Sequence, residues 1–230
     1  MARGFRRPRG LRVPENTTKR ARKFSAAIDE PWGLSAYASF MASPSAVPEA
    51  FTRAVAGLRA AAPRPEILLE EIAAPQKLAP WAFALSATVL RSGDEVAGGR
   101  LILLHDPAGH DAWQGNLRLV TLVTAELEDD LAGDPLLPAV AWTWLTDALD
   151  QQSAAYTAIG GTITQTTSTR FGELAGPAPT ADLEVRASWT PTSDGLETHL
   201  LGWCAMLAST AGLPPPGVTD LADRQRASAN

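Results

Sequence analysis

The chain has 230 residues, 45% of them hydrophobic and 20% charged, with a formal net charge of −5. That is ordinary globular composition, and the length suits one domain with a sizeable core. Cys204 is the only cysteine, which excludes an internal disulfide, a thiolate zinc site and Cys-x-x-Cys redox chemistry and fits a reducing, cytoplasmic setting.

No stretch approaches the roughly 18 to 20 apolar residues that span a bilayer. The basic N-terminus lacks the apolar run of a secretory signal. Residues 1–23 carry nine Lys and Arg against Glu15, a charge of +8, and the remaining residues carry −13. Residues 1–44 are expected to form a disordered basic extension. A single domain over 45–216 and a tail over 217–230 follow. The acidic body is a poor surface for phosphates, so nucleic acid is expected only as a weak partner of residues 3–23. Met41-Ala42-Ser43 also reads as a protein start, which would make residues 1–40 an extension of the reading frame.

The first predicted helix runs from Val47 to Ala61. Phe51, Ala54, Val55, Leu58 and Ala62 share a face, Ser45 is the N-cap and Pro63 the stop. Strands are predicted over Glu66–Ile72, Ala82–Leu90, Val96–Leu104 and Asn116–Leu127. Ser92-Gly93-Asp94 is the turn between the second and third, and His105–Asp111 a loop between the third and fourth. Gly98-Gly99 implies a bulge or a close backbone approach. In the fourth strand Leu117, Leu119 and Val123 face one way and Val120 and Leu122 the other. Strands apolar on both faces need cover on both.

A second helix is predicted over Leu136–Gln152, with Val140, Ala141, Trp144, Leu145, Ala148 and Leu149 as its stripe. A Thr-rich strand follows over Tyr156–Phe171, interrupted at Gly160-Gly161. Leu183, Val185, Ala187 and Trp189 alternate with polar residues, as in a half-buried strand. The last helix has Asp194 and Glu197 as a capping box. Its buried face is Leu196, Leu200, Trp203, Cys204, Leu207 and Ala211. The fold class is therefore α+β, a mainly antiparallel sheet of about six strands with three helices, in the order α-ββββ-α-ββ-α.

The densest polar cluster is His105-Asp106-Pro107-Ala108-Gly109-His110-Asp111. Two imidazoles and two carboxylates so close are metal-ligand chemistry if the loop folds back on itself. Asp-Pro-Ala-Gly is equally good turn chemistry, and the turn is the preferred reading. Cys204, on an apolar helix face, reads as a structural thiol, and His199 lies on another side of that helix. Glu70 and Glu71 point to opposite faces of a strand. Glu126, Glu128, Asp129 and Asp130 read as a solvated acidic segment. No nucleophile elbow, phosphate loop or dinucleotide fingerprint is present. Seven tryptophans against two tyrosines leave Trp81, Trp113 and Trp142 off the clear core faces, as candidate interface residues.

Several phrases resemble an actinobacterial family, domain of unknown function 3000, over about residues 48–216. They are Arg64-Pro65-Glu66, Leu69-Glu70-Glu71-Ile72, Ala79-Pro80, Leu104-His105-Asp106-Pro107-Ala108-Gly109 with Trp113 and Gly115, Asp134-Pro135-Leu136-Leu137, Trp142-Thr143-Trp144-Leu145 and Arg186-Ala187-Ser188-Trp189-Thr190-Pro191. The resemblance implies a bacterial cytoplasmic protein without an assigned activity. His110 falls outside the family's pattern, which weakens a two-histidine metal site. The expectation is a non-catalytic binding or interaction protein that self-associates, with no metal or cofactor. The alternative is a hydrolase or metal-dependent enzyme built on His105 and Asp106.

Overall fold

The chain folds in the order α1 (Glu49–Ala60), β1 (Ile67–Ile72), β2 (Trp81–Arg91), β3 (Asp94–His110), β4 (Gly115–Leu127), α2 (Leu137–Gln151), β5 (Tyr156–Ser168), β6 (Thr180–Pro191) and α3 (Glu197–Thr210). The computed structural model describes residues 46–128, 131–176, 179–193 and 195–218. The basic extension, Ser45, Asp129, Asp130, Asp194 and residues 219–230 lie outside them. The strands form one antiparallel sheet in the order β1-β2-β3-β4-β6-β5. This is the α+β fold with the predicted element order.

Period-two alternation divides the sheet's side chains. Odd-numbered residues of the central strands, among them Leu85, Leu101, Leu103, Leu119, Val123, Leu183 and Val185, form one core with the buried faces of the three helices. On the opposite face Ala84, Ile102, Leu104 and Leu122 are also buried. The central strands are thus apolar on both faces, as their sequences require.

α1 buries Phe51, Ala54, Val55 and Leu58, the predicted stripe, whereas Ala62 lies past the helix end and is exposed. α3 is buried on nearly every side, with His199, Gly202, Met206, Ala208 and Thr210 inside as well as the predicted face. A helix apolar all round belongs in the middle of a layer, and α3 meets both α1 and α2 as well as β3. Its first helical residue is Glu197 and Leu196 occupies the cap position, so Glu197 does not hold the third helical position that a capping box needs. Trp189 and Trp203 are fully buried. Each ring takes about 150–250 Å² out of water, about 4–6 kcal/mol of apolar burial.

Ser92 and Gly93 join β2 to β3 with φ of 55° and 89°, the two positive values that a tight type I′ hairpin needs. Gly98 and Gly99 stay in the ladder opposite Thr88 and Ala87, and the register shift lies just before them, where Val89 pairs with Ala97 and Leu90 with Glu95 and leaves Val96 of β3 as the extra residue. Gly99 serves a close approach. A Cβ there would stand 3.0 Å from Trp203 Cζ2 and 3.1 Å from both Leu207 Cδ2 and Val123 Cγ2. The predicted loop at His105 is a correction too. His105 stays in the ladder between Trp81 and Leu117, and β3 runs on to His110 with its β4 register broken in between. Gly99→Val is expected to destabilise the fold by about 1–3 kcal/mol through overpacking under α3. Urea unfolding should show a lower midpoint at unchanged slope.

Candidate binding groove

β1 pairs with β2 only as far as Ile72 opposite Ala84. The first three residues of β2, Trp81 to Phe83, therefore extend beyond their outer neighbour. α1 runs beside this free edge and leaves a groove of about 610 Å³ lined by Val47, Phe51, Thr52, Val55, Ala56, Arg59, Ala60, Ala82 and Phe83. Ala82 and Phe83 point to opposite faces of the sheet, yet both line the groove, so it follows the strand edge. Thr52, Ala56 and Ala60 recur every four residues and are exposed along α1, a row of small side chains that keeps the groove open.

Arg59 stands over the Phe83 ring at 5.2 Å from its centroid and binds Glu71 through Nε and Nη2 at 2.6 and 2.8 Å. This fork of charge-assisted bonds raises the Arg59 pKa and lowers that of Glu71, the hydrogen bond between them being the main cause in each case. Phe51 forms the inner wall. Its ring lies 6.2 Å from Trp81 and stacks on His105 at 6.1 Å. His105 is 1% exposed, its Nδ1 is 2.9 Å from the Asn116 carbonyl, and its buried Nε2 has no hydrogen-bond partner among the described residues.

The polar cluster does not assemble around His105. Asp106 accepts a hydrogen bond from the backbone N–H of Ala108, two residues on. His110 Nδ1 accepts from the Ala112 N–H, and its ring stacks on Trp113 at 5.1 Å. Asp106 thus closes the turn chemistry of its own segment while the His105 ring lies under α1. Among the described residues no three His, Cys, Asp or Glu side chains converge as metal ligands would.

Trp81 on β2, Trp113 between β3 and β4, and Trp142 on α2 are all half-buried. Trp81 reaches the groove wall through Phe51. Trp113 offers its carbonyl to Thr190 Oγ1. Trp142 packs from α2 against the core. Trp144, placed in the predicted stripe of α2, is half-buried, and Val140 is exposed. Cys204 is buried, and burial pushes its thiol up to about 12, the state of an inert structural cysteine.

Two buried polar residues carry more of the fold than their sequence context suggests. Arg118 reaches the Ala158 carbonyl at 2.8 Å, Thr190 Oγ1 at 3.0 Å and Ser188 Oγ at 2.7 Å. It ties β4 to β6 and to the start of β5, and burial lowers its pKa. A lone Arg inside a strand gives no such hint, because its acceptors are distant in sequence. His199 is fully buried, and its Nδ1 accepts the Trp189 indole N–H at 3.1 Å. An indole only donates, so the imidazole is neutral with its proton on Nε2.

Burial lowers the His199 pKa to about 4, with the Ala155 carbonyl opposing the shift. Between pH 6.5 and 4 the unfolded chain binds a proton that the folded chain refuses. Folding stability therefore falls as pH drops through that window, by roughly 3 kcal/mol in full. His199→Leu is expected to flatten this part of the pH–stability curve, whatever it costs at neutral pH. Urea midpoints measured across the window for both proteins check it, and an unchanged slope would assign the effect to another group.

Among the described residues no helix is long and apolar enough to cross a membrane. No curated protein and no solved structure matches the chain. A family model described as "Protein of unknown function (DUF3000)" matches residues 47–219. That span takes in every strand and helix described above, and the chain belongs to the DUF3000 family.

Proposed function

We propose that this chain is a non-catalytic, cytoplasmic binding protein whose ligand is an extended, mainly apolar polypeptide segment held in the groove between α1 and β2. The observation that carries the reading is the strand edge inside the groove. Trp81 to Phe83 offer backbone groups beyond the reach of β1, next to apolar side chains from α1. An added strand takes its affinity from such main-chain hydrogen bonds and its specificity from alternate side chains. The polar residues nearby support the same reading. Glu71 holds Arg59, the Asn116 carbonyl engages His105, and Asp106 binds its own backbone.

A peptide of alternating valine and threonine is a suitable probe. Titrated into the full chain, it is expected to shift backbone amide resonances of residues 52–60 and 81–83 saturably. Ala56→Arg, an exposed substitution on the groove side of α1, should abolish those shifts while the rest of the spectrum stays folded. Shifts that ignore Ala56→Arg, or no saturable shifts at these residues, would overturn the proposal.

A further inference from the structure

The sheet ends in two edges of unlike character. β1 is six residues long and carries Glu70 and Glu71, the latter in an ion pair with Arg59. Short length and charge are the usual guards of an edge strand. β5 is thirteen residues long, Tyr-Thr-Ala-Ile-Gly-Gly-Thr-Ile-Thr-Gln-Thr-Thr-Ser, without one charge or proline. Among the described residues its only hydrogen-bonded strand neighbour is β6. Its one irregularity, between Thr157 and Gly160, lies near its start. From Gly160 to Ser168 the register with β6 is unbroken. Thr162, Thr164, Thr166, Thr167 and Ser168 are exposed.

We propose that β5 is a dimerisation edge and that its occupant is β5 of a second copy of this chain, running antiparallel across a two-fold axis near Thr164. Several observations select a second copy. A strand related to itself by a two-fold places like residues near one another, and any charge close to the axis would face its own kind. β5 has none. Its threonines at 162, 164 and 166 share one face, so the axis sets threonine against threonine, a favourable cross-strand pair. Nine residues of strand extend about 30 Å, long enough for a ladder of backbone bonds. The result is a continuous twelve-stranded sheet with the helices of both copies on one side.

This inference is independent of the groove, which lies at the other end of the sheet. Sedimentation equilibrium of the full chain is expected to give twice 24.3 kDa. Thr164→Lys should yield a monomer of unchanged circular dichroism, because each lysine meets its copy across the axis. Thr164→Glu should do the same alone, and an equimolar mixture of the two variants should recover the dimer. A monomeric native chain, a dimer indifferent to Thr164→Lys, or a mixture that stays monomeric would overturn the proposal. None of these results alters the amide shifts that test the groove.

Discussion

Trp203 Nε1 donates to Thr121 Oγ1 at 2.7 Å, and that hydroxyl donates to the Arg100 carbonyl at 2.9 Å. This buried relay joins α3 to β4 and β3 at the centre of the sheet. Indole N–H can only donate, and burying it without an acceptor costs about 1–3 kcal/mol. The bond therefore fixes both the rotation of α3 and its position over the strands, and Gly99 leaves room for the ring. His199 fixes the first turn of the same helix against Trp189 on β6. With α3 set at two points, α1 and α2 pack against its flanks, and the place of α1 decides the width of the groove.

The elements most legible in the sequence are those whose pattern repeats under one physical rule. The odd and even apolar residues of β4 declare a strand buried on both faces. The α3 stripe from Leu196 to Ala211 is buried as its spacing requires, and its remaining buried residues follow from a helix enclosed by its neighbours. His105 was harder to place, because Asp106 to Gly109 is good turn chemistry whether or not the strand has ended. The Trp81 and Leu117 pairings keep it in the ladder. Only tertiary contact decides that. The groove was illegible for the same reason, since it depends on where β1 stops pairing and not on any residue's type. Arg118 belongs to this class as well, its acceptors lying 40 to 72 residues away.

Three buried side chains with reactive groups serve the fold. The Cys204 thiol is held protonated by burial, and His199 is held neutral. The Arg118 guanidinium is spent on hydroxyl and carbonyl groups of the sheet. Groups in these states are poor nucleophiles, bases and anion ligands at neutral pH. Unpaired backbone stands at the free start of β2 and along β5.

Those two edges pose the same problem with different answers. The free start of β2 is three residues long, Trp81 to Phe83, and sits beside α1. The edge of β5 is thirteen residues long and uncharged, and most of its second half is exposed. Long-range repulsion between two acidic bodies opposes such a pairing, and it is weakest where the approaching surfaces carry no charge of their own. Of the two edge strands only β5 is itself uncharged, since β1 would bring Glu70 and Glu71 toward their own copies. Charge placement therefore separates the two proposed roles that backbone geometry alone leaves equivalent: the self-association we propose at β5, and the capture of an extended chain we propose at β2.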